Sequence, residues 1–132
     1  VLKDLICDEF QNTVSESLVY HRSILDLLSK LQQANANISR DVIKAVTNCG
    51  CLQINAQKQA IPKDTPLGDL KRYFQTHLSG KACEHCQESI ENQIGQHLFY
   101  IAAICNLLDI NLYDVFIKKQ KQMEILGMFN LS

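Results

Sequence analysis

The sequence predicts an all-α bundle with one short irregular arm, and three observations carry this. Apolar residues recur at steps of three and four along most of the chain, the spacing of helices that bury one face. Only two prolines and five glycines punctuate its 132 residues. The stretch that departs from helical spacing, residues 51–61, begins at a close cysteine pair. A chain of this length forms one domain, 1–132, able to bury a core without obligatory staples.

The first helix is expected over residues 3–34, where Ile6, Phe10, Val14, Leu18, Leu25, Leu28 and Leu31 share a stripe. Asn35 and Asn37 loosen the chain, and Ser39 can cap a second helix, RDVIKAVTN. Gly50, between Cys49 and Cys51, ends that helix with a sharp change of direction. Leu52, Ile54 and Ala56 alternate with polar residues, as in a short strand or an extended arm. Thr65-Pro66 signals a helix start, with Leu67, Leu70, Phe74 and Leu78 as its apolar face and Gly80 as its stop. A fourth helix runs from about Cys83 to Leu108. Its buried stripe is Ile90, Ile94, Leu98, Ile101, Cys105 and Leu108, and Ala102 and Ala103 admit a close neighbour. A turn at Asp109-Ile110-Asn111 precedes the last helix, LYDVFIKKQKQMEIL, ended by Gly127.

Composition excludes several function classes. The formal charge is −1 with acids and bases dispersed, so no general nucleic-acid footprint is visible. No apolar run approaches the roughly 20 residues that span a membrane. The opening VLKDLICDEF lacks the layout of a secretory signal, which predicts a cytoplasmic protein. In that reducing setting, clustered cysteines point to metal or redox work rather than disulfides.

Four of the six cysteines form two tight pairs, Cys49/Cys51 and Cys83/Cys86, framing an insertion around 49–86. Two such pairs supply the four thiolates of a tetrahedral site, each pair from a tight turn. The second pair opens a helix, where free N–H groups and the helix dipole favour thiolate. Zinc is the first expectation. An iron–sulfur cluster would use the same atoms, and the spacing also suits a thiol–disulfide pair or unliganded cysteines. Four sulfurs close the shell and leave no position for water, so the site is expected to be structural. His85 is the one residue placed to substitute for a cysteine. Cys7 and Cys105 sit within apolar helical patterns and read as small core hydrophobes.

Glu84, Glu88 and Glu91 fall along one helix face, either a solvated row or a magnesium site. Lys118, Lys119 and Lys121 form a wet basic surface that can also meet a phosphate. No Gly-rich phosphate loop and no nucleophile motif is present.

Residues 94–122, IGQHLFYIAAICNLLDINLYDVFIKKQKQ, resemble the MazG-like nucleotide pyrophosphohydrolases, the all-α NTP pyrophosphatase superfamily. Leu98 to Asn106 match the family's apolar stretch, and Asp109 to Leu112 its short turn. The resemblance implies a MazG-like bundle and a magnesium site built from E-x-x-E on one helix and E-x-x-D on the next. Magnesium takes hard oxygen ligands and neutralises phosphate charge while water attacks. Carried onto this chain, the second motif lands on Gln93 and Gln96, and the first near Asn37, Ile38 and Asp41. Only Asp41 keeps an acid, while Glu88 and Glu91 stand about one turn too early. The resemblance therefore implies a degenerate relative that binds a nucleotide through Gln93, Gln96, Lys118 and Lys119, or regulates a partner. The alternative is a magnesium-dependent NTP pyrophosphohydrolase using Asp41, Glu88 and Glu91. Family habit, together with broad apolar helix faces, implies a homo-oligomer, dimer or tetramer.

Overall fold

A computed structural model of the chain describes residues 2–18 and 23–128. Among the described residues four α-helices carry the fold: α1 (Leu2–Ser17), α2 (Ile24–Lys44), α3 (Glu84–Leu107) and α4 (Leu112–Met128). Between α2 and α3 lie a π-helical turn (Ala45–Cys49), strand β1 (Leu52–Ile54), a 3-10 helix (Leu67–Arg72) and strand β2 (Leu78–Gly80). The molecule is thus largely all-α. No single helix among the described residues is long and apolar enough to cross a membrane.

The expected first helix is two helices. Leu18 and Ser23 are not helical, and residues 19–22 lie outside the described part. Packing explains the break. In one straight helix Val14 and Leu27 would stand ~20 Å apart, yet both belong to one core cluster with Leu18, Ala102, Ala103, Cys105 and Leu112. The two halves can reach that cluster only if the chain turns between them.

Conversely, α2 does not stop at Asn35 and Asn37, and Ser39 lies inside it as an exposed residue rather than a cap. Its inward stripe, Leu27, Leu31, Ala34, Ile38, Asp41 and Ala45, keeps helical spacing through both asparagines. Burial along that stripe outweighs the few tenths of a kcal/mol that each asparagine costs in propensity. The stripe packs antiparallel on α3. Ala45 meets Cys86, Asp41 bonds to Ser89, Ala34 and Gln96 line one cleft, and Leu27 meets Ala102 and Ala103. Ala102 and Ala103 are fully buried, the close approach their small side chains allow.

The helix expected after Pro66 is reduced to the 3-10 helix Leu67–Arg72. Leu67, Phe74 and Leu78 are exposed, so its apolar face has nothing to pack on, and a short helix without packing is marginal in water. Leu78 to Gly80 instead form β2, paired antiparallel with β1 in the register Leu52↔Gly80, Gln53↔Ser79 and Ile54↔Leu78. The loop between the strands is closed by Gln59, whose side chain bonds both the N–H and the C=O of Gln75.

α3 begins and ends where expected, with Cys83 and Leu108 as its caps. Its expected buried stripe is inward only in part: Cys105 is buried and Ile101 packs against the core, but Ile94, Leu98 and Leu108 are exposed among the described residues. The turn after it is a Schellman motif. Asp109 takes φ 58°, and the Ile110 N–H bonds the Cys105 carbonyl at 2.8 Å. Asn111 then caps α4, accepting from the Asp114 N–H at 3.0 Å. The helix continues through Gly127 to Met128 rather than ending before it.

α1 is locked to this turn by Gln11, a buried amide with every group engaged. Its Nε2 donates to Asn106 Oδ1 and to the Ile110 carbonyl, and its Oε1 accepts the Leu112 N–H at 2.7 Å.

Candidate metal centre

The two cysteine pairs meet at one end of the α2–α3 pair. The π-helical turn widens the last coil of α2, and Gly50 follows at φ 79° with its N–H on the Ala45 carbonyl. That left-handed step turns Cys51 back beside Cys49. The β1–β2 hairpin then returns the chain: Gly80 pairs with Leu52, and Cys83 follows as the N-cap of α3. Gly80, at φ 85°, presses on Cys51 so closely that a Cβ there would stand 2.5 Å from the Cys51 carbonyl oxygen. Beneath the pairs lies a small apolar cluster of Ala45, Leu52 and Cys86, with Val46, Cys51 and Ala82 around it.

The four Sγ atoms of Cys49, Cys51, Cys83 and Cys86 all lie within 4.8 Å of one another. A tetrahedral ion at ~2.3 Å from each sulfur would separate them by about 3.8 Å. Cys49 Sγ and Cys83 Sγ stand 3.8 Å apart. The donors therefore surround a point that an ion can occupy with little rearrangement. Among the described residues this is the one group of three or more His, Cys, Asp or Glu side chains so placed.

The electrostatics agree with an ion-binding role. The Cys86 backbone N–H, 3.4 Å from Cys83 Sγ, is the main reason that thiol is lowered to about 7. Cys86 is pushed up to about 12, chiefly by its side-chain hydrogen bond with Cys83 and then by burial. One sulfur ionises easily and the next resists, because sulfurs this close cannot all carry charge alone. A cation at their centre removes that conflict and deprotonates the set.

Comparison with protein-family models, curated proteins and solved structures finds no match to this chain.

The other expected site residues are dispersed. Asp41 sits at the α2–α3 interface, its Oδ2 accepting from Ser89 Oγ at 2.6 Å. That bond, ahead of the neighbouring Arg40, holds its carboxyl below the ordinary 3.8. With Lys44, Asn48, His85 and Ser89 it lines a cleft of about 210 Å³ against Cys49 and Cys86. His85 is exposed there and is not one of the converging donors. Glu88 and Glu91 are exposed on α3, and Glu91 accepts from Gln87 one turn back. Asp41, Glu88 and Glu91 form no shared ion site among the described residues. Gln96 lines a second cleft of about 220 Å³ with Lys30, Gln33, Asn37 and Tyr100, and Gln93 is half-buried on the same helix. Lys118 and Lys119 are exposed on α4. Cys105 is core filling, and Cys7 is half-buried.

Two participants carry no signal in the sequence. Ser89 is a polar residue in a polar stretch, and only the α2–α3 register reveals its bond to Asp41. Gly80 reads as a helix stop, and its close approach to Cys51 exists only in the hairpin.

Proposed function

We propose that the chain is a MazG-like domain in which a structural zinc at Cys49, Cys51, Cys83 and Cys86 pins the hairpin arm to the α2–α3 pair. It acts there as a nucleotide-binding or regulatory module. The observation that carries the metal assignment is the convergence of four sulfurs within 4.8 Å. Four thiolates fill a tetrahedral shell by themselves, which suits zinc in a closed, structural site. Such a centre persists where thiols are kept reduced, in keeping with a cytoplasmic setting.

The nucleotide reading draws on one further feature. Asn37 and Gln96, two positions where the family resemblance calls for magnesium-binding acids, line the same cleft between α2 and α3. As amides they lack the charge that retains magnesium, but they offer donors and acceptors to a base or sugar. Lys30 supplies a cation and Tyr100 an aromatic ring at the same cleft. Titration calorimetry with a panel of nucleoside triphosphates tests this. Binding without pyrophosphate release, weakened by Gln96→Ala, is the expected result, and no binding by any nucleotide overturns it.

A second reading, magnesium-dependent pyrophosphate release, draws on Asp41, whose carboxyl stays ionised between the helices. Glu88 and Glu91 would have to move inward with magnesium and substrate. Magnesium-dependent turnover abolished by Glu88→Ala or Glu91→Ala would establish this reading in place of the first.

A further inference from the structure

The whole-chain charge of −1 conceals a division. The arm between the cysteine pairs, residues 52–81, carries five bases: Lys58, Lys63, Lys71, Arg72 and Lys81. Its acids are two, Asp64 and Asp69, and His77 is its one histidine. Five bases less two acids make the arm +3, and a total of −1 leaves −4 for the rest of the chain. The next charges along the chain are Lys44 before the arm and Glu84 after it, one of each sign. All five bases are exposed, and of the two acids Asp69 is half-buried.

The fold gathers part of this charge around two uncovered rings. Beyond the β1–β2 pair the walls of the hairpin stay together. The Asn55 N–H donates to the His77 carbonyl at 2.9 Å, and His77 Nε2 donates to the Gln57 carbonyl at 2.8 Å. The Gln59 side chain then clamps the Gln75 backbone. Lys58 adjoins that clamp on one wall and Phe74 on the other, although they are far apart in the sequence. Lys71 and Arg72 close the 3-10 helix, and Tyr73 is its C-cap. The run Lys71-Arg72-Tyr73-Phe74 is exposed throughout, Tyr73 to 37% and Phe74 to 53%.

We propose that the arm is a binding surface for single-stranded nucleic acid. Tyr73 and Phe74 stack on unpaired bases, while Lys58, Lys71 and Arg72 neutralise the adjoining phosphates. Lys63 and Lys81 extend the positive field along the arm. Rings need bases that are free to leave their neighbours, which a strand offers and a duplex does not. The arm's one helical element, Leu67–Arg72, has six residues. It is too short to read a duplex groove or to lay an amphipathic face into an anionic bilayer. None of these residues lines the α2–α3 cleft of Gln96 or supplies a sulfur to the cysteine centre, so the surface stands apart from the nucleotide and zinc readings.

Fluorescence anisotropy of the full chain with labelled oligouridylate and oligodeoxythymidylate, each about 12 nucleotides long, tests this and separates RNA from DNA. At least one strand is expected to bind. Its log affinity should fall against log salt with a slope of roughly −2, for three phosphates at about 0.7 each. Phe74→Ala should weaken binding on the order of tenfold and leave that slope unchanged. The double variant Lys71→Ala, Arg72→Ala should flatten the slope by roughly 1.4 and decides the matter if Phe74→Ala disturbs the arm. Helical circular dichroism should not change in either variant. Failure of both strands to bind overturns the proposal. So does binding indifferent to both variants, or tighter binding to an annealed duplex, to phosphatidylserine vesicles or to polyglutamate.

Discussion

Gly80 and Cys51 are in backbone contact: a Cβ at position 80 would fall 2.5 Å from the Cys51 carbonyl oxygen, at a φ of 85°. Gly50 has a similar positive φ of 79°, yet open space where its Cβ would go. The pair separates conformational strain from steric collision. Gly50→Ala should cost ~1 kcal/mol, the left-handed penalty alone. Gly80→Ala should cost that and at least about 1 kcal/mol more, because two backbones must part. Urea midpoints of the two variants measure the difference. Equal losses would mean that the hairpin yields freely at Cys51.

Removing one sulfur should open the metal centre. Purified protein is expected to carry about one zinc per chain by elemental analysis, and Cys83→Ser should release it and lower the melting temperature. A strong chelator should lower the wild-type melting temperature in the same way. Cys7→Ser, outside the cluster, should retain the metal. A metal-free chain that melts like the wild type would refute the structural role.

The Ser89–Asp41 bond should appear as a pH-dependent contribution. Asp41 is depressed when folded, so its stabilisation is present above the ordinary 3.8 and is lost as pH falls through the lower folded value. Ser89→Ala should therefore destabilise the protein by about 1 kcal/mol at neutral pH. The gap between variant and wild type should close in acid, below 3.8. Urea unfolding at neutral and acidic pH tests the sign, and a gap that widens in acid would contradict it.

Leu27 and Leu25 should differ sharply although they are two residues apart on α2. Leu27 is 0% exposed and Leu25 is 74% exposed. Leu27→Ala should cost about 3 kcal/mol through the cavity it leaves, and Leu25→Ala no more than ~0.5 kcal/mol. Thermal melts of both variants check the α2 register directly.

Much of the candidate site is legible in the sequence. The spacing of Cys49/Cys51 and Cys83/Cys86 is local chemistry, since two sulfurs from one tight turn already face one side, and a second such pair needs only to be brought near. The helical character of α1 to α4 is legible for the same reason, because a stripe at steps of three and four is a property of neighbours along the chain. Asp41, Glu88 and Glu91 are harder. Sequence spacing puts the two glutamates on α3, but whether they turn toward Asp41 depends on which face of α3 meets α2, and that face carries Ser89.

The sequence by itself determined that most of the chain is helical, where α3 and α4 begin, and which four cysteines belong together. Each of these follows from interactions within a few residues. The tertiary structure alone decided that the first helix breaks so that Val14 and Leu27 share a core, and that α2 outruns its asparagines. It also decided that the segment after Pro66 stays mostly unwound and that Ile94 and Leu98 face outward. An apolar stripe records that a face seeks a partner. Only the packed chain reveals whether one is within reach, and the free energy of that burial is what chooses between a helix, a strand and an open surface.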